Sequence, residues 1–158
     1  MNSLDQAVAD FLSSPRIAVA GVSRDSRQAA NAIYRKLKAA GHTVVATNPQ
    51  ATQVEGDPCH PTLRAIPGGV DAVVVATPPR AALEIVMECR DLEIRRVWLH
   101  RSFGQGSVSS EAVDFCRSND IAVIPGACPM MYCPPVDLAH RCMRVCLGWF
   151  GRLPKIPG

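Results

Sequence analysis

The 158-residue sequence has no uninterrupted apolar run of the roughly 20 residues that a membrane helix needs. Its charge-free stretch from Ile121 to Val136 holds four prolines, so no membrane partner is expected. Aromatics make up only 5% of the residues, and no run of like charge occurs. A nucleic-acid groove needs a basic stripe interleaved with stacking rings, so nucleic acid is not expected as a partner either. C-x2-C knuckles are absent. Cys128, Cys133, Cys142 and Cys146 follow a C-x4-C-x8-C-x3-C spacing that does not suit zinc, and no metal is expected. The N-terminal MNSLDQAVADFLSSP carries acidic residues and no basic n-region, unlike a signal peptide. With an odd count of seven irregularly spaced cysteines, this points to reduced thiols in a cytoplasmic chain.

What is present reads as globular. Hydrophobic residues account for 47% and charged residues for 20%, and the length allows one domain with a sizeable core. We read residues 1–158 as that domain, with its core over about 4–145 and a tail over 149–158. The net charge is +3, from 17 basic and 14 acidic side chains. Most of the basic residues are scattered arginines, a side chain whose planar fork suits individual phosphates.

Short β-branched runs alternate with stretches of helical period. Arg16–Ala20, Thr43–Thr47, Ala72–Ala76, Arg96–Leu99 and Ile121–Ile124 are nearly continuous in hydrophobicity, as strands buried on both faces are. Helices are predicted over Ser26–Ala40, Arg80–Leu92 and Val108–Ser118. Asp25 or Ser26 would cap the first, which Gly41 follows, and Ser107, Ser109 or Ser110 would cap the third. Helices over Leu4–Leu12 and Val136–Gly148 complete the domain. Pro49 to Gly69 has no helical period and reads as a loop, with a short strand near Pro58-Cys59-His60. The whole is an α/β fold, a doubly wound parallel sheet of five or six strands flanked by helices.

In such a sheet, ligands bind beyond the carboxyl ends of the strands, so the residues directly after each strand are the candidate site. They are Gly21, Val22, Ser23 and Arg24, with Arg27 nearby; Asn48 and Pro49; Thr77, Pro78 and Pro79; His100; and Cys128 and Pro129. Gly21 lets the backbone pass close to a ligand, and the helix that follows offers open N–H groups to a phosphate. The dinucleotide fingerprint is not met, because Ser23 and Ser26 stand where its second and third glycines belong. The acidic residue that would hold the NAD ribose is replaced by Thr47-Asn48-Pro49. An NAD(P)-binding domain or oxidoreductase therefore remains an alternative that these departures disfavour.

Taken together, Ala18-Val19-Ala20-Gly21-Val22-Ser23, Gly41 to Pro49, Gly56 to Leu63, Ile66-Pro67, Val70-Asp71 and Val97-Trp98-Leu99-His100 resemble a stand-alone coenzyme A-binding domain. This family is similar to the N-terminal domain of the succinyl-CoA synthetase alpha subunit. Cys128-Pro129-Met130-Met131 with Pro135, Asp137 and His140 is similar to one branch of it. The resemblance implies a Rossmann-like fold whose first loop takes the pyrophosphate of coenzyme A or acyl-CoA. The Asn48-Pro49 and Thr77-Pro78-Pro79 loops would then enclose the nucleotide end. An acidic residue after the second strand would repel the 3′-phosphate of CoA, while Arg24 or Arg27 would attract it. The pantetheine arm would run toward Cys128.

The related ligases use a phosphorylated histidine on another domain. None of His42, His60, His100 or His140 sits in a Gly-rich phosphohistidine loop, so binding without catalysis is expected of this chain alone. A subunit completing a CoA ligase with a partner is a further alternative. Cys128 with Asp137 and His140 is the best enzyme-like constellation, in which the imidazole would lower the thiol pKa. The aromatic Leu147-Gly148-Trp149-Phe150 segment fits either a core latch or a homodimer contact.

Overall fold

In the computed structural model, which describes residues 3–157, the elements run α1 (Ser3–Leu12), β1 (Arg16–Ala20), α2 (Ala29–Ala39), β2 (Thr43–Thr47), β3 (Gln53–Val54), β4 (Asp57–His60), β5 (Ala72–Val75), α3 (Pro79–Asp91), β6 (Arg96–Leu99), α4 (Ser110–Ser118), β7 (Ala122–Pro125) and α5 (Leu138–Trp149). A short 3-10 turn over Pro129–Met131 precedes α5. The strands form one sheet in the order β3-β4-β2-β1-β5-β6-β7. Every pairing is parallel except that of β3 with β4. The chain winds outward from β1 through β2, then returns to β5 on the other side, so the winding reverses between β1 and β5.

Strand alternation sends side chains to two separate cores, which is why β5, and β1 after Arg16, are apolar at every position. Ile17 and Val19 meet Leu4, Val8 and Phe11 of α1, Ile33, Tyr34 and Leu37 of α2, and Leu147 of α5. Ala18 and Ala20 face the opposite core, with Ala82, Val86 and Cys89 of α3 and Ala112, Val113 and Cys116 of α4. Trp98 anchors the first core, edge-on to Phe11 at 5.3 Å and donating its indole N–H to Gly126 O at 2.8 Å. The crossover from β4 to β5 has no helix. Leu63 and Ile66 from that loop are buried in the second core and cover the sheet in its place.

The sheet carries seven strands because β3 pairs with the expected short strand, β4, through a two-residue hairpin. Its turn, Glu55-Gly56, has φ of 52° and 80°, the left-handed pair that such a hairpin requires. Glutamate seldom adopts this conformation, so the turn was not legible. It is held there by its own carboxylate, which accepts from Asn31 at 2.7 Å and from Arg35 at 2.8 Å. α2 begins at Ala29 instead of Ser26. The carboxylate of Asp25 is occupied by Arg27 and Gln28 side chains and by the Arg27 N–H, and so does not cap the helix. Ser109 caps α4, accepting from Ala112 N at 3.2 Å.

Candidate ligand-binding cleft

A cleft of about 760 Å³ opens at the carboxyl edge of the sheet, over the place where the winding reverses. Gly21 and Ser23 reach it from β1, Asn48 to Gln50 from β2, Pro61 to Leu63 from β4, Thr77 and Pro78 from β5, and His100 from β6. Strand direction alone brings these turns together, since parallel strands end on the same side.

The first turn is shaped from beneath. Gly21 has φ of +101°, and a Cβ there would lie 2.4 Å from the Ala76 carbonyl oxygen. The glycine is thus required by the approach of the β5 end, whatever the ligand. Gly21 donates to Thr47 O at 2.9 Å, and the Asn48 amide donates to Val22 O at 2.9 Å. Asn31, fully buried on α2, accepts the Ser23 N–H at 2.9 Å and donates back to Ser23 O at 2.7 Å. Its remaining N–H goes to Glu55, and this bond, aided by Arg35, holds the Glu55 carboxyl below the usual carboxylate range. The Ser23 hydroxyl accepts from Asp25 N at 3.0 Å, leaving its proton to point to a ligand.

Two helices present their positive ends to this cleft. Gln28, Ala29 and Ala30 at the start of α2, and Pro78, Arg80 and Ala81 at the start of α3, all line it. Neither helix is capped by a side chain, whereas Ser109 caps α4 and Asp137 caps α5. The leading N–H groups of Ala29 and Ala30 on α2 and of Arg80 on α3, together with the helix dipoles, favour an anion; Pro79 has no N–H, and that of Ala81 goes to Pro78 O. Among the described lining residues Arg80 is the one arginine or lysine. Glu84 and Glu88 lie one and two turns further along α3. Glu88 accepts from the N–H groups of Leu63 and Arg64, which ties the 61–64 loop to the cleft wall. His100 is uncharged here: burial pushes its pKa down to about 4, and its Nε2 lies 3.1 Å from Ser102 Oγ.

Of the sequence-predicted residues, Gly21, Ser23, Asn48, Pro49, Thr77, Pro78 and His100 meet at the cleft. The others do not line it. Val22 points into the first core, and Pro79 opens α3 just outside the lining. Arg24 is exposed, and Arg27 grips Asp25 through two nitrogens at 2.9 and 3.0 Å. Cys128 and Pro129 are buried beyond β7, Cys128 in the first core. Burial pushes the Cys128 thiol pKa up, the reverse of the activation that a neighbouring imidazole would supply. Asp137 and His140 instead form the cap of α5, the carboxylate accepting from His140 N at 3.0 Å and lying 2.7 Å from Nδ1.

Sequence reasoning missed Asn31 and Arg80, and it assigned the phosphate to the start of the right helix but began that helix at Ser26 instead of Ala29. Asn31 did carry a signal, a polar residue beside Ala30, Ile33 and Tyr34 on the buried side of an amphipathic helix. Arg80 directly follows the second of two prolines that start a helix, which places it in the first turn.

Open turns and two bare helix ends at a topological switch point define the class, a Rossmann-like α/β ligand-binding domain. The chain belongs to the CoA binding domain family, whose model matches residues 15–134. Over 79 residues it is 33% identical to the ADP-forming acetate–CoA ligase I of Archaeoglobus fulgidus, covering 49% of this chain and 12% of that protein. The structure of cell-free ID.343 from Thermus thermophilus matches with a TM-score of 0.66 and 27% identity, over 78% of this chain and 90% of that one. The dinucleotide forming acetyl-coenzyme A synthetase 1 of Ca. Korarchaeum cryptofilum, solved with phosphate and ADP, gives a TM-score of 0.61 at 26% identity, over 70% of this chain. The chain spans only a quarter of that protein and about an eighth of the archaeal ligase.

Proposed function

We propose that this chain binds coenzyme A or an acyl-CoA in the cleft without itself performing thioester chemistry. The observation that carries the reading is the pair of uncapped helix ends, α2 and α3, that line the cleft of a CoA binding domain. The pyrophosphate lies against the Gly21–Ser23 turn and the Ala29 and Ala30 N–H groups. The Asn48-Pro49 and Thr77-Pro78 turns hold the nucleotide end. Arg80 is better placed for the 3′-phosphate than Arg27, whose charge is already matched by Asp25. Neutral His100 is a hydrogen-bonding partner for the pantetheine arm rather than an anion-binding cation.

Thr47, Asn48 and Pro49 leave no carboxylate for an NAD ribose, which favours CoA over a nicotinamide nucleotide. The relatives' names favour a second reading of the same cleft, a CoA-binding part of a ligase completed by another chain. Titration calorimetry with CoA, dephospho-CoA and NAD, preceded by native mass spectrometry of the purified protein, tests the proposal. CoA should bind, dephospho-CoA more weakly, and NAD not measurably. Preference for NAD, or no affinity for CoA, overturns it. Co-purification with a nucleotide-binding subunit would support the ligase reading.

A further inference from the structure

α5 is apolar on two opposite faces. One face packs inward: Leu147 is buried, Met143 lies against the first core, and Arg144 stacks 4.3 Å from the Tyr132 ring centroid while bonding Asp5 at 2.9 Å. The opposite face presents Leu138, Cys142, Val145 and Trp149 to solvent, with Leu138 76% exposed, Val145 56% and Trp149 88%. Phe150, just past the helix, is 77% exposed. A contiguous apolar patch left exposed on a helix marks an interaction surface.

The outer stripe has 4-3-4 spacing, the seam of a helix pair that packs knobs into holes. That spacing is the same in either direction. When α5 is laid antiparallel on itself, Leu138 falls opposite Trp149 and Cys142 opposite Val145, on both sides of one twofold axis. The flanking positions suit close approach, because Ala139 and Cys146 lie on one side of the seam and Gly148 lies beside Arg141 on the other. Antiparallel pairing also opposes the helix dipoles. It brings Asp137, half-exposed at the N-terminus of one helix, to the end of the copy that carries Arg152. Trp149 and Phe150 together offer on the order of 300–400 Å² of ring surface, close to half of the about 800 Å² per partner in a standard interface.

We propose that α5 is the docking surface for a second copy of this chain, paired antiparallel about a twofold axis between Cys142 and Val145. The seam is on the far side of α5 from the first core, and none of its four residues lines the CoA cleft, so the proposal stands apart from the ligand reading.

Sedimentation velocity on the full chain tests it, with reductant present so that the exposed Cys142 and Cys146 do not cross-link. The wild type should sediment as a dimer at twice 17.0 kDa. Val145→Glu and Trp149→Glu should each weaken the dimer by roughly a hundredfold or more, since each buries an unpaired charge twice. Both sites are exposed in the monomer, and an unchanged far-UV circular dichroism spectrum with a single cooperative melting transition shows that the variants fold. Leu138→Lys combined with Trp149→Glu should recover part of the affinity, because the antiparallel register sets the new charges face to face. A monomeric wild type overturns the proposal, as does a dimer indifferent to Val145→Glu. Monomer that binds anionic phosphatidylserine vesicles through Trp149 also overturns it, in favour of a membrane surface.

Discussion

An aspartate in place of Ala29 is expected to strengthen the fold and weaken the ligand at once. Ala29 is the first residue of α2, is exposed, and lines the cleft at an end that no side chain caps. A carboxylate in the first turn interacts favourably with the helix dipole, by about 0.3–1 kcal/mol. The same carboxylate stands where the pyrophosphate is proposed to sit. At roughly 6 Å, two like charges repel by about 0.7 kcal/mol in water and about 3 kcal/mol at an effective dielectric of 20. The cleft rim is open to solvent and a pyrophosphate bears two charges, so the loss should be about 1.5–3 kcal/mol, or roughly 10- to 100-fold in affinity. Urea denaturation reads the first effect and CoA calorimetry at fixed salt the second. Affinity unchanged in a normally folded variant would refute the placement of the phosphates. Gly21→Asp is a poorer probe, because its Cβ would collide with the Ala76 carbonyl and unfolding would mimic lost binding.

Arg80→Ala should cost CoA about 1.5–3 kcal/mol and dephospho-CoA much less, the scale of one charge-assisted hydrogen bond. Equal losses for both ligands in parallel titrations would move the 3′-phosphate away from Arg80, and Arg24→Ala and Arg27→Ala would then be compared in the same assay. Asn31→Ala removes three hydrogen bonds from a buried side chain and strands Ser23 and Glu55. It should lower stability by about 2–3 kcal/mol in urea denaturation and weaken CoA as well; a loss confined to stability would mean that the turn keeps its shape unaided. His100 is held neutral, its pKa lowered by burial from 6.5 to about 4. Its contribution to stability is therefore complete above pH 6.5 and shrinks as pH falls toward 4, by up to about 3 kcal/mol. Urea midpoints for wild type and His100→Gln across that window check this, and identical pH slopes would rule it out.

The strands were legible because a strand covered on both faces needs apolar residues at successive positions, as in Ala72–Val75, with no surface side to mask the pattern. The winding followed from the alternation of those runs with helical periods, and with it the edge where the cleft opens. Seven of the predicted site residues could be placed for that reason alone: a turn after a parallel strand reaches the carboxyl edge wherever its neighbours lie. Side-chain competition was not legible. Arg27 is adjacent to the cleft turn, but Asp25 holds its guanidinium, while Arg80 reaches the cleft from α3 on the other side of the switch point. Cys128 follows its strand as the pattern requires, yet the chain after β7 packs against α5 and α2 and buries the thiol. The Glu55-Gly56 hairpin depends on Asn31 and Arg35, some 20 to 24 residues earlier, holding a glutamate in a conformation it seldom adopts. Periodicity along the chain determined the sheet and the edge at which the cleft opens. Which charge is free, which thiol is dry and which face of α5 remains uncovered were decided by contacts between distant segments, and these exist only once the layers have packed.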